Sequence, residues 1–347
     1  MPGARVTIKD LAKRMNLSVS TISRALHNNP SIGEVTTREV WKLAKQLGYF
    51  PNSVASNLRR RKTNMIGVIV PRIDITFHSY VISGVEEIAY KMGYNVTIYQ
   101  SKDSLEREVA ITSILQTNMV AGIIACLALE TQNCSHFARF NSLKVPLVFY
   151  DRVSNDLEAS KVIIDDFDAA LRVTQHLINI GCKRIAHIAG CQTTSIFASR
   201  LEGYKAALQK NNLPFDPNLV CCATDLSYDE GSRCTRKLLK LPEIPDGIFC
   251  ANDYTAIGAI QVIKKNNIRI PEDIAVAGFS NYPVSTIIEP ALTTIDDRAF
   301  EMGKTAARML IRQIEDRDVN VASETIVIKT DLIVRDSTKR QPVKAEN

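Results

Sequence analysis

The 347-residue sequence contains no Cys-x-x-Cys pair, and its eight cysteines, at 126, 134, 182, 191, 221, 222, 234 and 250, show no His spacing of a zinc site. They read as reduced, structural thiols, with no metal and no cofactor expected. No uninterrupted apolar run approaches ~18 residues, the length a membrane-spanning helix needs. Met1 to Thr7 include no apolar stretch of the kind that drives export, so a cytoplasmic protein without a membrane partner is expected. No G-x-G-x-x-G follows a strand pattern and no G-x-x-x-x-G-K-[ST] occurs, which removes the commonest nucleotide-binding enzymes. The adjacent carboxylates Asp165 and Asp166 have no evident nucleophile or metal partner. No catalytic residue is therefore expected. A heptad repeat is also missing after residue 336, which leaves no basis for a tetramer.

What is present begins with 45% apolar residues, enough to bury the cores of two or three domains. Charge is unevenly distributed. Residues 1–62 hold 12 Lys/Arg against 3 Asp/Glu, whereas residues 63–347 hold 31 against 34. A small basic head on a near-neutral body suits phosphate-backbone binding, since each neutralised phosphate releases condensed counterions. A merely solvated basic face is the plainer reading of the same charge.

Within the head, Thr7 and Asp10 form a capping pair before Ile8, Leu11, Ala12 and Met15, whose spacing gives a short helix one apolar face. Asn16-Leu17 supply a turn. Ser18 then caps a second helix through Leu26, with Ile22 and Leu26 facing inward. Thr36 with Glu39 starts a third, striped by Val40, Leu43, Ala44 and Leu47 and ended by Gly48 in the left-handed conformation. Three such helices form a helix-turn-helix unit whose second helix enters the major groove. Val19, Ser20 and Arg24 face DNA there, and Arg24 can pair bidentately with guanine O6 and N7. Ser18, Thr21 and Ser23 suit phosphate oxygens or plain capping. Residues 51–62 join a Pro break, small residues and a basic cluster, as a hinge does.

From residue 65 the chain alternates apolar strand runs with amphipathic helix patterns. Strands are predicted at Met65–Val70, Asn95–Tyr99, Ala121–Ala125, Pro146–Tyr150, Arg184–Ile188, Asp246–Cys250 and Asp273–Ala277. These are too many for one ordinary sheet. The fold class is therefore α/β, with two doubly wound lobes behind an all-α head, and a ligand cleft beyond the strand carboxyl ends where the lobes face each other.

The runs V-T-I-K-D-L-A (6–12), S-x-S-T-I-S-R-A-L (18–26) and L-G-Y-x-P-N-x-x-A-x-x-L (47–58) resemble the reader and hinge of the lactose-repressor (LacI) family. The body motifs I-G-V-I-V-P (66–71), F-Y-D-R (149–152), R-x-x-G-Y from Arg200, A-N-D (251–253), I-P-E-D-I-A-V-x-G-F (270–279) and L-T-T-I (292–295) extend the likeness over nearly the whole chain. The resemblance implies periplasmic-binding-protein-like lobes, a homodimer, and pseudo-palindromic double-stranded operator DNA as partner. It also implies a small sugar or sugar-derived effector that alters operator affinity. It places a helix-turn-helix domain at 1–50, a hinge helix at 51–62 and the effector domain at 63–340. Within the last, it implies an N-lobe of 63–161 and 290–324 and a C-lobe of 162–289 and 325–340.

On this resemblance Thr7, Asn52 and Ala55 join the DNA contacts, and Leu58 is an apolar wedge that opens the minor groove; without it, Leu58 reads as an anchor of a linker helix. Asp151, Arg200, Asn252 and Asp253 follow strands or start helices, where they can hydrogen-bond vicinal hydroxyls. Taken singly, each also reads as a cap or a surface ion pair, Arg200 with Glu202 for example. Phe77 is either a cavity wall or lobe core, and His78 a surface loop residue. The pattern departs from the family at Thr37-Arg38, where Arg usually follows the capping Thr directly, at Leu226, where a ring is usual, and at Ser280, where an acid is usual, so Ser280 joins the effector set and the ligand need not be a simple hexoside. A binding protein without operator recognition is the competing reading of the body, and an architectural DNA binder that of the head.

Overall fold

The computed structural model describes residues 6–49, 63–316 and 322–340; the expected hinge helix at 51–62, with Asn52, Ala55 and Leu58, lies outside them. The chain divides into two units, residues 1–63 and 64–347.

The first unit holds α1 (Ile8–Met15), α2 (Val19–Leu26) and α3 (Glu34–Gln46). Thr7 donates to Asp10 Oδ2 through its backbone N at 2.8 Å and its hydroxyl at 2.7 Å, which fixes the start of α1. Asn16, left-handed at φ 52°, turns the chain, and Ser18 Oγ accepts from Thr21 N at 3.0 Å to cap α2. Leu11, Ile22, Ala25 and Val40 are fully enclosed between the three helices. The third helix departs from the sequence expectation. It starts at Glu34 behind Gly33, not behind Thr36, because extended Gly33 serves as the cap and its carbonyl accepts from Thr37 N. Thr36 and Glu39 are consequently ordinary helical positions. Gly48 ends the helix at φ +62°, as its position predicts.

The second unit contains two six-stranded sheets. The first comprises β1 (Met65–Val70), β2 (Asn95–Gln100), β3 (Gly122–Ala125), β4 (Leu147–Tyr150), β5 (Ser160–Ile164) and β11 (Thr325–Ile328). Its order is β11-β5-β4-β3-β1-β2 and every pairing is parallel. The second comprises β6 (Ile185–Ala189), β7 (Val220–Cys222), β8 (Gly247–Cys250), β9 (Ala275–Phe279), β10 (Thr293–Asp296) and β12 (Asp331–Ile333). Its order is β12-β10-β9-β8-β6-β7, with only β12 antiparallel. Central strands such as β3, β4, β6 and β8 are buried on both faces, so their sequences read as continuous apolar runs rather than alternating ones.

Helices α4 (Thr76–Lys91), α5 (Leu105–Thr117), α6 (Ser135–Ser142) and α12 (Ala299–Glu315) belong with the first sheet. Helices α7 (Asp166–Asn179), α8 (Ser195–Lys210), α9 (Tyr228–Leu238), α10 (Asp253–Lys265) and α11 (Val284–Ile287) belong with the second. The pair α4 and α12 packs backbone to backbone: a methyl group on Gly84 would overlap the Phe300 carbonyl oxygen, and one on Gly303 the Val81 carbonyl oxygen. Among the described residues no helix is long and apolar enough to cross a membrane.

The lobe boundaries shift from those expected. The chain leaves the first sheet after Ile164 rather than near 161, since β5 runs on to pair with β4 and β11. It returns at Asp296–Arg298 rather than at Glu289-Pro290, because Thr293–Ile295 pair with Ala277–Phe279 and bury Ile295 in the second lobe. It crosses again after Ile328, not at 325, because β11 belongs to the first sheet. The predicted strand at 273–277 is displaced to 275–279. Asp273 is withdrawn from it by Arg269, whose backbone N and Nε donate to its carboxylate at 2.8 and 2.9 Å.

Candidate functional sites

On α2, a repeat of 3.6 residues per turn puts Val19, Ser20, Ser23 and Arg24 on one side and Ile22, Ala25 and Leu26 on the other. The second set is buried, and Val19, Ser20 and Arg24 are exposed. Thr21 and Ser23 are half-buried. The Ser18 hydroxyl is engaged by Thr21 N and lies 2.7 Å from Ser20 Oγ, so its local role is that of a cap. The Thr7 hydroxyl is likewise directed at Asp10.

In the second unit, the carboxyl ends of the strands converge on a cavity of about 540 Å³. Both lobes line it. Arg72, Asp74, Phe77, His78, Lys102, Asp103, Leu129, Asp151 and Arg152 come from the first, and Cys191, Phe197, Arg200, Thr224–Ser227, Asn252, Tyr254, Ser280 and Tyr282 from the second. Asp297 sits on the segment joining them, just after β10. This is the position expected of a ligand in doubly wound sheets. Five of the lining residues that are not glycine have positive φ: Lys102, Asp103, Asp151, Leu226 and Ser280. Sparsely populated backbone held at a cavity rim persists only where surrounding contacts fix it.

Five of the six residues expected around an effector reach this cavity: Phe77, Asp151, Arg200, Asn252 and Ser280. Phe77 satisfies both of its readings, packing in the lobe core at 7% exposure while forming cavity wall. The sixth, Asp253, does not. It is fully enclosed, and its two oxygens accept from Thr294 Oγ1 at 2.6 Å and Tyr282 N at 2.7 Å, which fastens α10 to the strands behind the cavity. Burial pushes its carboxyl up to about 7. His78, expected in a surface loop, is instead buried on α4 with Nδ1 3.2 Å from Tyr150 Oη, and burial drives its pKa well down, leaving it neutral.

Arg200 does not pair with Glu202, which holds Lys205. Its Nε donates to Asp166 Oδ1 at 2.7 Å, its Nη1 to the Ala251 carbonyl at 2.7 Å, and its guanidinium carbon lies 3.6 Å from the Phe279 ring centre. Asp166 thus has the role that the sequence left vacant. Burial raises its pKa to about 6 despite the opposing charge of Arg200. Arg152 is held by Asp103 at 2.6 Å. Among the described residues the Cys126 thiol, at 3.7 Å, is the one protein donor to the Asp151 carboxyl, and burial raises its pKa against the pull of Arg152 and Arg200. Asn252 caps α10 through Thr255 N at 2.9 Å and donates to the Leu226 carbonyl at 3.0 Å. Its remaining lone pair and hydrogen are available to the cavity.

The acid missing at position 280 is supplied from 297. Ser280 and Asp297 line the same cavity, and burial pushes the Asp297 carboxyl well above the carboxylate range. Asp297 and Tyr282 were not legible as site residues, because each follows a strand whose lobe assignment depended on pairing. The aromatic side chain absent at Leu226 has counterparts in Phe197 and Tyr254.

Comparison with known proteins places both units. Residues 7–52 match the model described as bacterial regulatory proteins, lacI family, and residues 174–338 match the periplasmic binding protein-like domain. The HTH-type transcriptional repressor CytR of Escherichia coli (strain K12) is 31% identical over 336 residues, covering 97% of each chain. Among solved structures, a transcriptional regulator CelR-cellobiose complex is 26% identical, with TM-score 0.72, and covers 96% of this chain and 100% of that one. The lac repressor dimer bound to operator and the anti-inducer ONPF shares the fold at TM-score 0.86 and 23% identity, covering 96% and 99%. With the helix-turn-helix unit, the two parallel-sheet lobes and an end-to-end relative at this identity, the chain belongs to the LacI family of DNA-binding transcriptional regulators.

Proposed function

We propose that this regulator is a repressor of carbohydrate-utilisation genes, working without enzymatic activity in the cytoplasm as a homodimer on a pseudo-palindromic operator. An uncharged sugar or sugar-derived polyol, bound in the cavity between the lobes, sets its DNA affinity. The observation that carries this reading is the convergence of Asp151, Arg200, Asn252, Ser280 and Asp297 on one 540 Å³ cavity. Carboxyls, a guanidinium, an amide and a hydroxyl offer both acceptors and donors, which is what vicinal hydroxyls require. The charge balance favours a neutral ligand over a phosphate ester. The lining cations Arg72, Lys102, Arg152 and Arg200 face the carboxyls of Asp74, Asp103, Asp151 and Asp225, with Asp297 pushed toward its neutral form by burial, so an anion meets no cationic excess.

Val19, Ser20 and Arg24 would read base edges, while Thr7, Ser18, Thr21 and Ser23 would position α2 on the backbone, with Asn52 a further DNA contact and Ala55 and Leu58 in the minor groove. Ligand binding to both lobes would bias their relative arrangement and thereby the spacing of two readers, a coupling of typically about 1–3 kcal/mol. Equilibrium binding to a labelled duplex from the upstream region of the gene tests this, against scrambled competitor and then with a panel of sugars and sugar phosphates. Trp41, 40% exposed in the reader, provides a fluorescence signal. Sequence-selective binding that a neutral sugar abolishes or strengthens supports the reading. Equal affinity for both duplexes leaves a ligand-binding protein with a basic head.

A further inference from the structure

At the edge of the second sheet, Cys221 on β7 and Cys234 on α9 bring their sulfurs to 2.6 Å. Both thiols are free, and both are buried, Cys221 at 4% exposure. The separation is well inside ordinary contact between unbonded sulfurs, and a small closure reaches the S–S bond length of about 2.05 Å. Arg233 stands beside the pair. Its Nη2 lies 3.7 Å from Cys234 Sγ and donates to the Cys222 carbonyl at 3.0 Å, while Glu230 fixes the guanidinium at 2.6 Å. The hydrogen bond with Cys234, aided by the charges of Arg233 and Lys237, lowers the Cys221 thiol, and the same bond with burial raises that of Cys234. One thiol is thereby disposed to attack and the other to follow. Part of the chain between them, Ala223 to Ser227, connects β7 to α9, and its residues Thr224, Asp225, Leu226 and Ser227 line the cavity.

We infer that Cys221 and Cys234 are a reversible dithiol–disulfide site, oxidised by hydrogen peroxide, whose closure staples β7 to α9, the two elements that flank the cavity-lining loop 223–227. The Cys221 thiolate attacks a peroxide oxygen, the O–O bond breaks, and hydroxide leaves as water with the thiol proton, giving a sulfenic acid. The Cys234 sulfur then attacks the Cys221 sulfur, the S–O bond breaks, and a second water carries away the Cys234 proton. Two thiols lose two electrons and two protons, and one peroxide becomes two waters. Two equivalents of a small thiol reverse the step and leave as their own disulfide. A disulfide in a reducing compartment is of this transient, sensing kind. The cross-link itself is independent of the effector reading, whereas its influence on ligand affinity rests on that reading.

The full-length protein, treated with hydrogen peroxide under non-reducing conditions, tests the bond by thiol counting and peptide mapping. The expected result is loss of two of the eight thiols, a Cys221–Cys234 linked peptide, the same product in Cys222→Ser, and full recovery on adding a small thiol. No thiol loss, a bond to Cys222 or a bond between chains overturns the site. Hydrogen exchange of oxidised and reduced protein then reads the loop. Slower exchange at residues 223–227 after oxidation is expected, and unchanged exchange overturns the staple. Apart from the Cys222→Ser control, both readouts use the native sequence, so the test does not depend on a variant folding.

Discussion

Arg200 and Asp166 form a buried ion pair, Nε to Oδ1 at 2.7 Å, with side-chain exposures of 7% and 8%. The pair links the start of α7 to α8, beneath a cavity that Arg200 also lines. Because the Ala251 carbonyl holds Nη1 and the Phe279 ring covers one face of the guanidinium, its orientation toward the cavity is settled before any ligand arrives.

Asp166→Ala should therefore harm both stability and ligand binding. Removing one partner of a buried pair strands the other charge, at a cost of about 3–5 kcal/mol. Asp166→Asn retains an acceptor for Nε and should cost distinctly less. Urea unfolding of the full chain measures the first effect and ligand titration the second; equal stabilities for the two variants would show that the charge of Asp166, which both lack, is what matters and that its acceptor for Nε contributes nothing.

Arg200 was legible in the sequence as a polar residue ahead of Gly203-Tyr204, but its partner was not. Asp166 lies 34 residues away, and only the packing of α7 on α8 joins them. The same distinction runs through the chain. The caps at Thr7 and Ser18, the inward faces of α1 and α2, and the runs of β1, β3, β4 and β8 follow from local chemistry, and the structure has them where the sequence implies. Asp253, Asp297 and the crossing at 296–298 depend on which strand pairs with which, and local patterning carries no such information. Asp253 shows the difference most plainly, since a carboxyl after A-N at a strand end looks like a ligand contact until Thr294 and Tyr282 N are seen to occupy it.

The buried carboxyl of Asp253 should also give stability a pH dependence. Its folded pKa, about 7, lies above the ordinary 3.8, so the folded state retains a proton that the unfolded state releases. Stability from this group is complete below pH 3.8, declines as pH rises toward 7, and then levels, the loss being several kcal/mol at about 1.4 kcal/mol per pKa unit. Asp253→Asn can accept from Tyr282 N and donate to the Thr294 hydroxyl without titrating. Its stability relative to the unmodified chain should thus rise between pH 5 and pH 8, as urea unfolding at the two pH values would record. A difference that stays constant with pH would refute the assignment.

Gly84 and Gly303 allow α4 and α12 to approach until each helix meets the other's carbonyl groups. Gly84→Ala ought to destabilise the second unit by about 1–3 kcal/mol or more through overpacking, although alanine is the better helix former. Gly93→Ala is an informative contrast: nothing surrounds that position, but φ +77° strains any side chain. Denaturant midpoints of the two variants, with binding of the reader to DNA as a control, separate the causes. A neutral or stabilising Gly84→Ala would mean that the helices part more easily than this packing implies.

For the reader, the decisive residue is Arg24. Its position in the last turn of α2 and its exposure leave the guanidinium without a described protein partner of its own, whereas Ser18 and Thr7 are committed to capping. If it reads a guanine edge, Arg24→Ala should cost about 1–3 kcal/mol on the operator duplex and much less on random DNA. If it meets only phosphate, affinity should fall alike on both, and the salt dependence should flatten by about one ion. Ser18→Ala offers the complementary measurement: it removes a cap worth about 1 kcal/mol, so the melting temperature of the reader should fall while the ratio of operator to random affinity holds. Measured together, the two variants distinguish a residue that recognises sequence from one that holds the recognising helix in shape, and a loss of specificity in Ser18→Ala with none in Arg24→Ala would reverse the roles assigned here.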